Sequence, residues 1–183
     1  TAGDSGDSGD SGDSGDSGDT GDTGDTGAPD PTLASGFEAD LTREAGCADV
    51  VLYAHNEADT LALHFFDGGL AAAAHDAGEA VSQSWDLASV QPERLSLTMG
   101  THLTHETCND ATEYVPVIDG TWVAVSGTLR LTATPDGTPT DWDMPADAVL
   151  EFTGVGWVPS DDLTATPVPM ADWSLEARVG WLP

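Results

Sequence analysis

From Gly46 onward apolar and polar residues alternate, which is the period-two signature of strands with one buried and one solvated face. The clearest run is 121–133. There Val123, Val125, Leu129 and Leu131 share one parity and Ser126, Thr128, Arg130 and Thr132 the other. In residues 173–181, Trp173, Leu175, Ala177, Val179 and Trp181 point one way, Glu176 and Arg178 the other. Leu95, Leu97 and Met99 alternate with Ser96 and Thr98, and Leu61, Leu63 and Phe65 with Ala62, His64 and Phe66. Further strands are predicted over 49–55, 81–85, 114–118 and 148–158, the last with a bulge or bend at Gly154 and Gly156. Asp119-Gly120 between two apolar runs predicts a tight hairpin, and Asp67-Gly68-Gly69 and Asp136-Gly137 predict turns. Pro167 and Pro169 place an edge or loop before the final strand.

One stretch competes. Residues 70–75 contain four consecutive alanines, whose helix propensity is high. Between Gly69 and Gly78 there is room for at most two turns, so the segment is either a strand or a short helical turn. Eight or nine short strands with no βαβ rhythm predict an all-β fold, an antiparallel β-sandwich, with a closed β-barrel as the alternative. The long connections at 134–147 and 159–171 are where a binding surface would be expected.

The first 32 residues behave differently. Residues 3–26 are eight triplets, Gly-Asp-Ser five times and then Gly-Asp-Thr three times, followed by a segment containing Pro29 and Pro31. With no apolar side chain to bury, the entropy of ordering is uncompensated. Residues 1–32 are therefore expected to be a disordered acidic tether, and 33–183 the folded domain. A Gly-rich chain of that length has a root-mean-square span of about 30 Å. Collagen is excluded because the triplets lack Pro, and a calcium β-roll because its repeat is longer and carries an aliphatic position.

The chain has 33 Asp and Glu against 4 Lys and Arg, a net charge of −29. A surface so negative repels phosphate backbones and anionic headgroups, so nucleic-acid partners are excluded. Solubility, nucleotide composition and a high-salt habitat each account for the acidity. No apolar run is long enough to span a membrane as a helix. Cys47 and Cys108 have neither zinc-site nor CxxC spacing; in an exported chain, as the tether argues, they are expected to form one disulfide, with two buried free thiols in a cytosolic protein as the alternative. A start at Thr1 without Met reads as a processed product or a trimmed chain.

The Gly-Asp-Ser/Thr tract behind Thr1-Ala2-Gly3-Asp4 resembles the spacer of bacterial surface lipoproteins, just after the lipid-modified Cys. That resemblance implies an extracellular or outer-surface location and a lipid anchor on a Cys preceding Thr1, with plain secretion as the alternative. It covers the tether alone.

Chemistry-bearing residues are sparse. His102 and His105 lie three apart with Glu106 adjacent and are the candidate metal ligands, for zinc. On a strand that spacing puts the rings on opposite faces, and zinc needs three or four converging ligands, so no cofactor is assigned. His55, His64 and His75 stand isolated. No nucleophile elbow is present. Asp141-Trp142-Asp143 is the local cluster best suited to a sugar or a calcium ion, with Asp161-Asp162 as its companion from the other long loop. Trp122, on the polar face of its strand, and Trp142, in a loop, are candidate stacking surfaces for a sugar ring or a protein. These features predict a monomeric, non-catalytic binding, adhesion or structural module. Its ligand would be a protein or a carbohydrate. A secreted hydrolase or metal-dependent enzyme is the alternative.

Overall fold

The computed structural model describes residues 31–48, 50–89, 95–105, 107–108, 114–140 and 143–180. The expected tether, apart from its last two residues, lies outside them, as do Glu106, Asp141, Trp142 and Trp181. Among the described residues, alternation in the sequence becomes nine strands, all paired antiparallel. They are β1 (Arg43–Cys47), β2 (Val51–His55), β3 (Leu61–Phe66), β4 (Val81–Asp86), β5 (Leu95–Thr101), β6 (Val117–Pro135), β7 (Ala146–Pro159), β8 (Val168–Pro169) and β9 (Trp173–Val179). The Ala-rich stretch is a helix, α1 (Leu70–Ala77), of two turns. The N–H groups of Gly69 and Leu70 donate to Asp67 Oδ1, each at 3.1 Å, which satisfies two orphan donors at its start. Gly78 ends it in the left-handed region, at φ 67°.

Two long strands organise the sheet. β6 pairs with β7 along nearly its whole length. On its other edge β6 pairs first with β5 and then, from Thr128 to Ala133, with β4. β7 likewise pairs with β9 through its first half and with β8 near its end. The result is two packed layers, β1-β2-β3-β5-β6-β7-β8 and β4-β6-β7-β9, sharing the β6–β7 ribbon. Leu52, Leu63, Phe65 and Leu97 of the first meet Leu129, Leu131, Leu150, Phe152 and Leu175 of the second in one core.

The ribbon bends through two bulges. Between Ala124 and Ser126 the extra residue lies on β6; between Ser126 and Thr128 it lies on β7, next to Gly154 at φ 63°. A bulge reverses side-chain parity. Beyond it Leu129, Leu131 and Ala133 face inward as their alternation predicts; before it Trp122, not Val123, is buried. The expectation that Trp122 sits on a polar face is thereby corrected: its ring is 3% exposed.

The sheet does not close. β1 and β9 approach at their edges, joined by a bridge between Ala48 and Gly180 and by Glu176 N–H donating to Glu44 Oε2 at 3.1 Å. Gly46 permits this approach, because a Cβ there would lie 2.9 Å from Val179 Cγ1. The architecture is all-β and sandwich-like, not a closed barrel. Asp119-Gly120 makes no hairpin. Both residues lie within β6, and glycine is required there because a Cβ would meet Pro31 at 2.6 Å and the Trp122 ring at 2.9 Å. Leu33, Phe37 and Leu41 join the core, and Phe37 stands edge-on to Trp157 with centroids 6.3 Å apart.

Candidate functional site

β5 ends at the edge of the layer farthest from Cys47. Register shows why: Met99 pairs with Leu61, Leu61 follows the β2–β3 turn, and Cys47 lies opposite Val51 at the other end. The chain after β5 must therefore run back across the outer face of β2 and β3 to form the Cys47–Cys108 disulfide, which is present with Cα atoms 5.8 Å apart. Three ties mark its course. At the β2–β3 turn Thr104 donates to Asp59 Oδ1 from both N–H and Oγ1, at 3.1 and 2.9 Å. Midway along β3, Thr107 Oγ1 lies 3.4 Å from His64 Nε2. The disulfide holds the far end.

This strap concentrates backbone strain. Among the described residues the non-glycine positions with positive φ are Ala48, Asp59, His102 and Cys108. All four sit at its attachments. Such conformations cost of order 1–3 kcal/mol each and persist only where the surroundings fix them. Beneath the strap Tyr53 and His64 are cross-strand partners with ring centroids 6.1 Å apart, and His55 stacks on Tyr53 at 6.2 Å. His55 Nδ1 is 3.7 Å from Asp59 Oδ1. Burial pushes the His64 pKa down, against the pull of Asp59 and with that of His55. Burial, aided by Asp59, pushes Tyr53 up.

His102 and His105 are in a turn past the end of β5, with His105 N–H donating to the His102 carbonyl at 3.4 Å. Their rings flank Tyr114. His102 stacks on it with centroids 4.8 Å apart, and His105 meets it edge-on at 4.7 Å. Both imidazoles are thus engaged in an aromatic sandwich. Among the described residues no three His, Cys, Asp or Glu side chains are placed to hold a metal ion.

The chain leaves this sandwich as a run of uncovered apolar side chains. Val115 is 74% exposed, Ile118 58%, and Val117 and Tyr114 are exposed as well. Val117 and Ile118 begin β6, whose first residues pair only with β5. Trp122, opposite Pro159, is the first residue of β6 paired with β7, and Ser160 N–H donating to the Thr121 carbonyl at 2.8 Å is the last described bond on that side. Residues 117–120 therefore present an open backbone edge among the described residues. Beside it lies a cleft of about 290 Å³, lined by Pro31, Asp119, Trp122, Pro159, Asp161 and Asp162 among others. Thr164 donates to Asp162 Oδ1 from Oγ1 and N–H, at 2.7 and 3.0 Å, holding that carboxyl below the usual carboxylate range.

The remaining candidates are dispersed. Of the Asp-Trp-Asp cluster only Asp143 is described. It is folded inward, its carbonyl accepting from Thr140 N–H at 2.8 Å and its Oδ1 lying where a Cβ on Gly180 would fall. Asp161 and Asp162 do not join it, because the two loops lie at opposite ends of β7. The uncovered run at 114–118 had a signal in the sequence: Tyr-Val-Pro-Val-Ile lacks any polar partner residue, so a single buried face cannot hide it. The fold and this surface define a disulfide-strapped all-β module. No protein-family model, curated protein or solved structure matches the chain.

Proposed function

We propose that the chain is a non-catalytic binding module of an exported protein, held on an acidic tether and engaging a protein partner through residues 114–118. The observation that carries this reading is the contiguity of Tyr114, Val115, Val117 and Ile118, all large, apolar and exposed. Contiguous apolar surface on a soluble domain commonly marks an interaction site. The disulfide fits an oxidising compartment, and the Gly-Asp-Ser/Thr spacer fits display at a cell surface, lipid-anchored or secreted. Burial of Trp122 favours a protein partner over a glycan, since its ring is not offered for stacking.

The test is site-specific crosslinking on cells that express the full chain. A photoreactive benzoylphenylalanine at Val115 is expected to give a discrete adduct, and the same probe at Asp147, on the far part of the sheet, none. Equal adducts from both positions, or none from Val115, would sink the reading.

A further inference from the structure

The mode of recognition can be read from the edge itself. A partner at residues 114–118 meets a β-strand whose outward N–H and C=O groups have no described partner over 117–120. Exposed edges of this kind accept an added strand, in which backbone hydrogen bonds supply affinity and alternate side chains supply selectivity. β7 stops at Pro159, so a strand added here would continue its line along β6. On that line it passes the cleft carrying Asp119, Asp161 and Asp162.

Charge selects the occupant. The described arginines are engaged elsewhere, Arg43 with Glu57, Arg130 with Glu151 and Arg178 with Asp136, so none balances the carboxylates at this edge. The chain's own tether repeats Asp every third residue, and a second copy carries the same −29. Both would bring like charge to the cleft. We infer that the open edge of β6 takes up an extended segment of another protein in which apolar residues alternate with Lys or Arg, the apolar set covering Ile118 and the cationic set reaching Asp119, Asp161 and Asp162. This rests on the binding reading above and specifies its mode.

The experiment measures fluorescence anisotropy of a labelled decapeptide of alternating Lys and Val on the full chain at 0.15 M salt. Three comparators separate the contributions: Lys alternating with Ser, Glu alternating with Val, and the Lys–Val peptide methylated at every backbone nitrogen. Lys–Val is expected to bind at least tenfold more tightly than each. D119N/D161N/D162N is expected to lose at least tenfold, and Ile118→Lys a similar factor. The distant D76N/E79Q/D147N is expected to lose less than threefold, with circular dichroism confirming that each variant is folded. Absence of Lys–Val binding would overturn the inference. So would equal binding of the Lys–Ser or methylated peptide, or an equal loss in the distant variant, since attraction would then be charge alone. An adduct at Val115 with no uptake of the Lys–Val peptide would remove this mode and leave the binding reading standing; failure of both would remove both.

Discussion

The outer face of β2 and β3 and the first residues of β6 lie on the same layer, yet they are treated in opposite ways. Over β2 and β3 the chain lays a strap fixed at three points, by Asp59, His64 and Cys47, and accepts four strained residues to do so. At the start of β6 and just before it Val115, Val117 and Ile118 are exposed, and among the described residues the backbone edge at 117–120 has no partner on the side of β7. Both surfaces adjoin one connection: residues 102–105 and 107–108 are tied down over β2 and β3, and residues 114–116 lead into β6. A chain able to cover one face so thoroughly has the means to cover the other. The contrast therefore points to residues 114–118 as the surface kept for use.

Breaking the strap should have the largest effect. Replacing Cys47 and Cys108 together by Ser opens a loop of 61 residues, and the chain-entropy model places the loss at roughly 4 kcal/mol, read from denaturant midpoints. Next comes its turn-side anchor. Asp59→Ala removes the acceptor for both Thr104 donors and puts Ala at φ 54°, for an expected loss of about 2 kcal/mol. Asp59→Asn, tolerant of that backbone region, should lose clearly less.

A smaller effect follows from His64. Its pKa in the fold is lowered by burial from 6.5, so the unfolded chain binds the proton more readily. Stability from this group is complete above pH 6.5 and declines as pH falls through the lower folded value. Thermal melts across that range should show the decline, flattened in His64→Gln. A slope unchanged by the substitution would locate the acid sensitivity elsewhere. Val115→Ser with Ile118→Ser should change stability least, within about 0.5 kcal/mol. Placed alongside a photoreactive group at Tyr114, the same pair should abolish its adduct on cells. A large destabilisation instead would mean that the run is structural and the contrast false.

Local pattern located the strands well because period-two alternation survives wherever one face is buried. Residues 61–66, 95–99 and 173–179 needed nothing more. It failed at Trp122, where an extra residue on β6 reverses the parity counted from Leu129, and at Asp119-Gly120, where the glycine answers to packing by Pro31 and Trp122. The strap was half legible. The cysteines signalled its far end, but Thr104 reaching Asp59 and Thr107 reaching His64 span more than forty residues and leave no local mark. The run at 114–118 was visible as five residues in succession without a charge, yet only the fold tells that Val115, Val117 and Ile118 are exposed while Tyr114 is flanked by His102 and His105.

The paired bulges of the β6–β7 ribbon set its bend. Each strand has one surplus residue there, so Leu129 and Leu131 turn to the same side as Ala124, and Phe152 and Leu150 to the same side as Trp157, although an odd number of positions separates them. Taking out Val125 would leave Leu129 four positions from Ala124, and taking out Val155 would leave Phe152 four positions from Trp157, so in either case plain alternation keeps the oily side chains turned inward and only the bend is lost. Descendants of this chain can therefore shed either surplus residue without turning the core outward, but cannot straighten the ribbon while keeping both, although the two positions lie some thirty residues apart in the sequence.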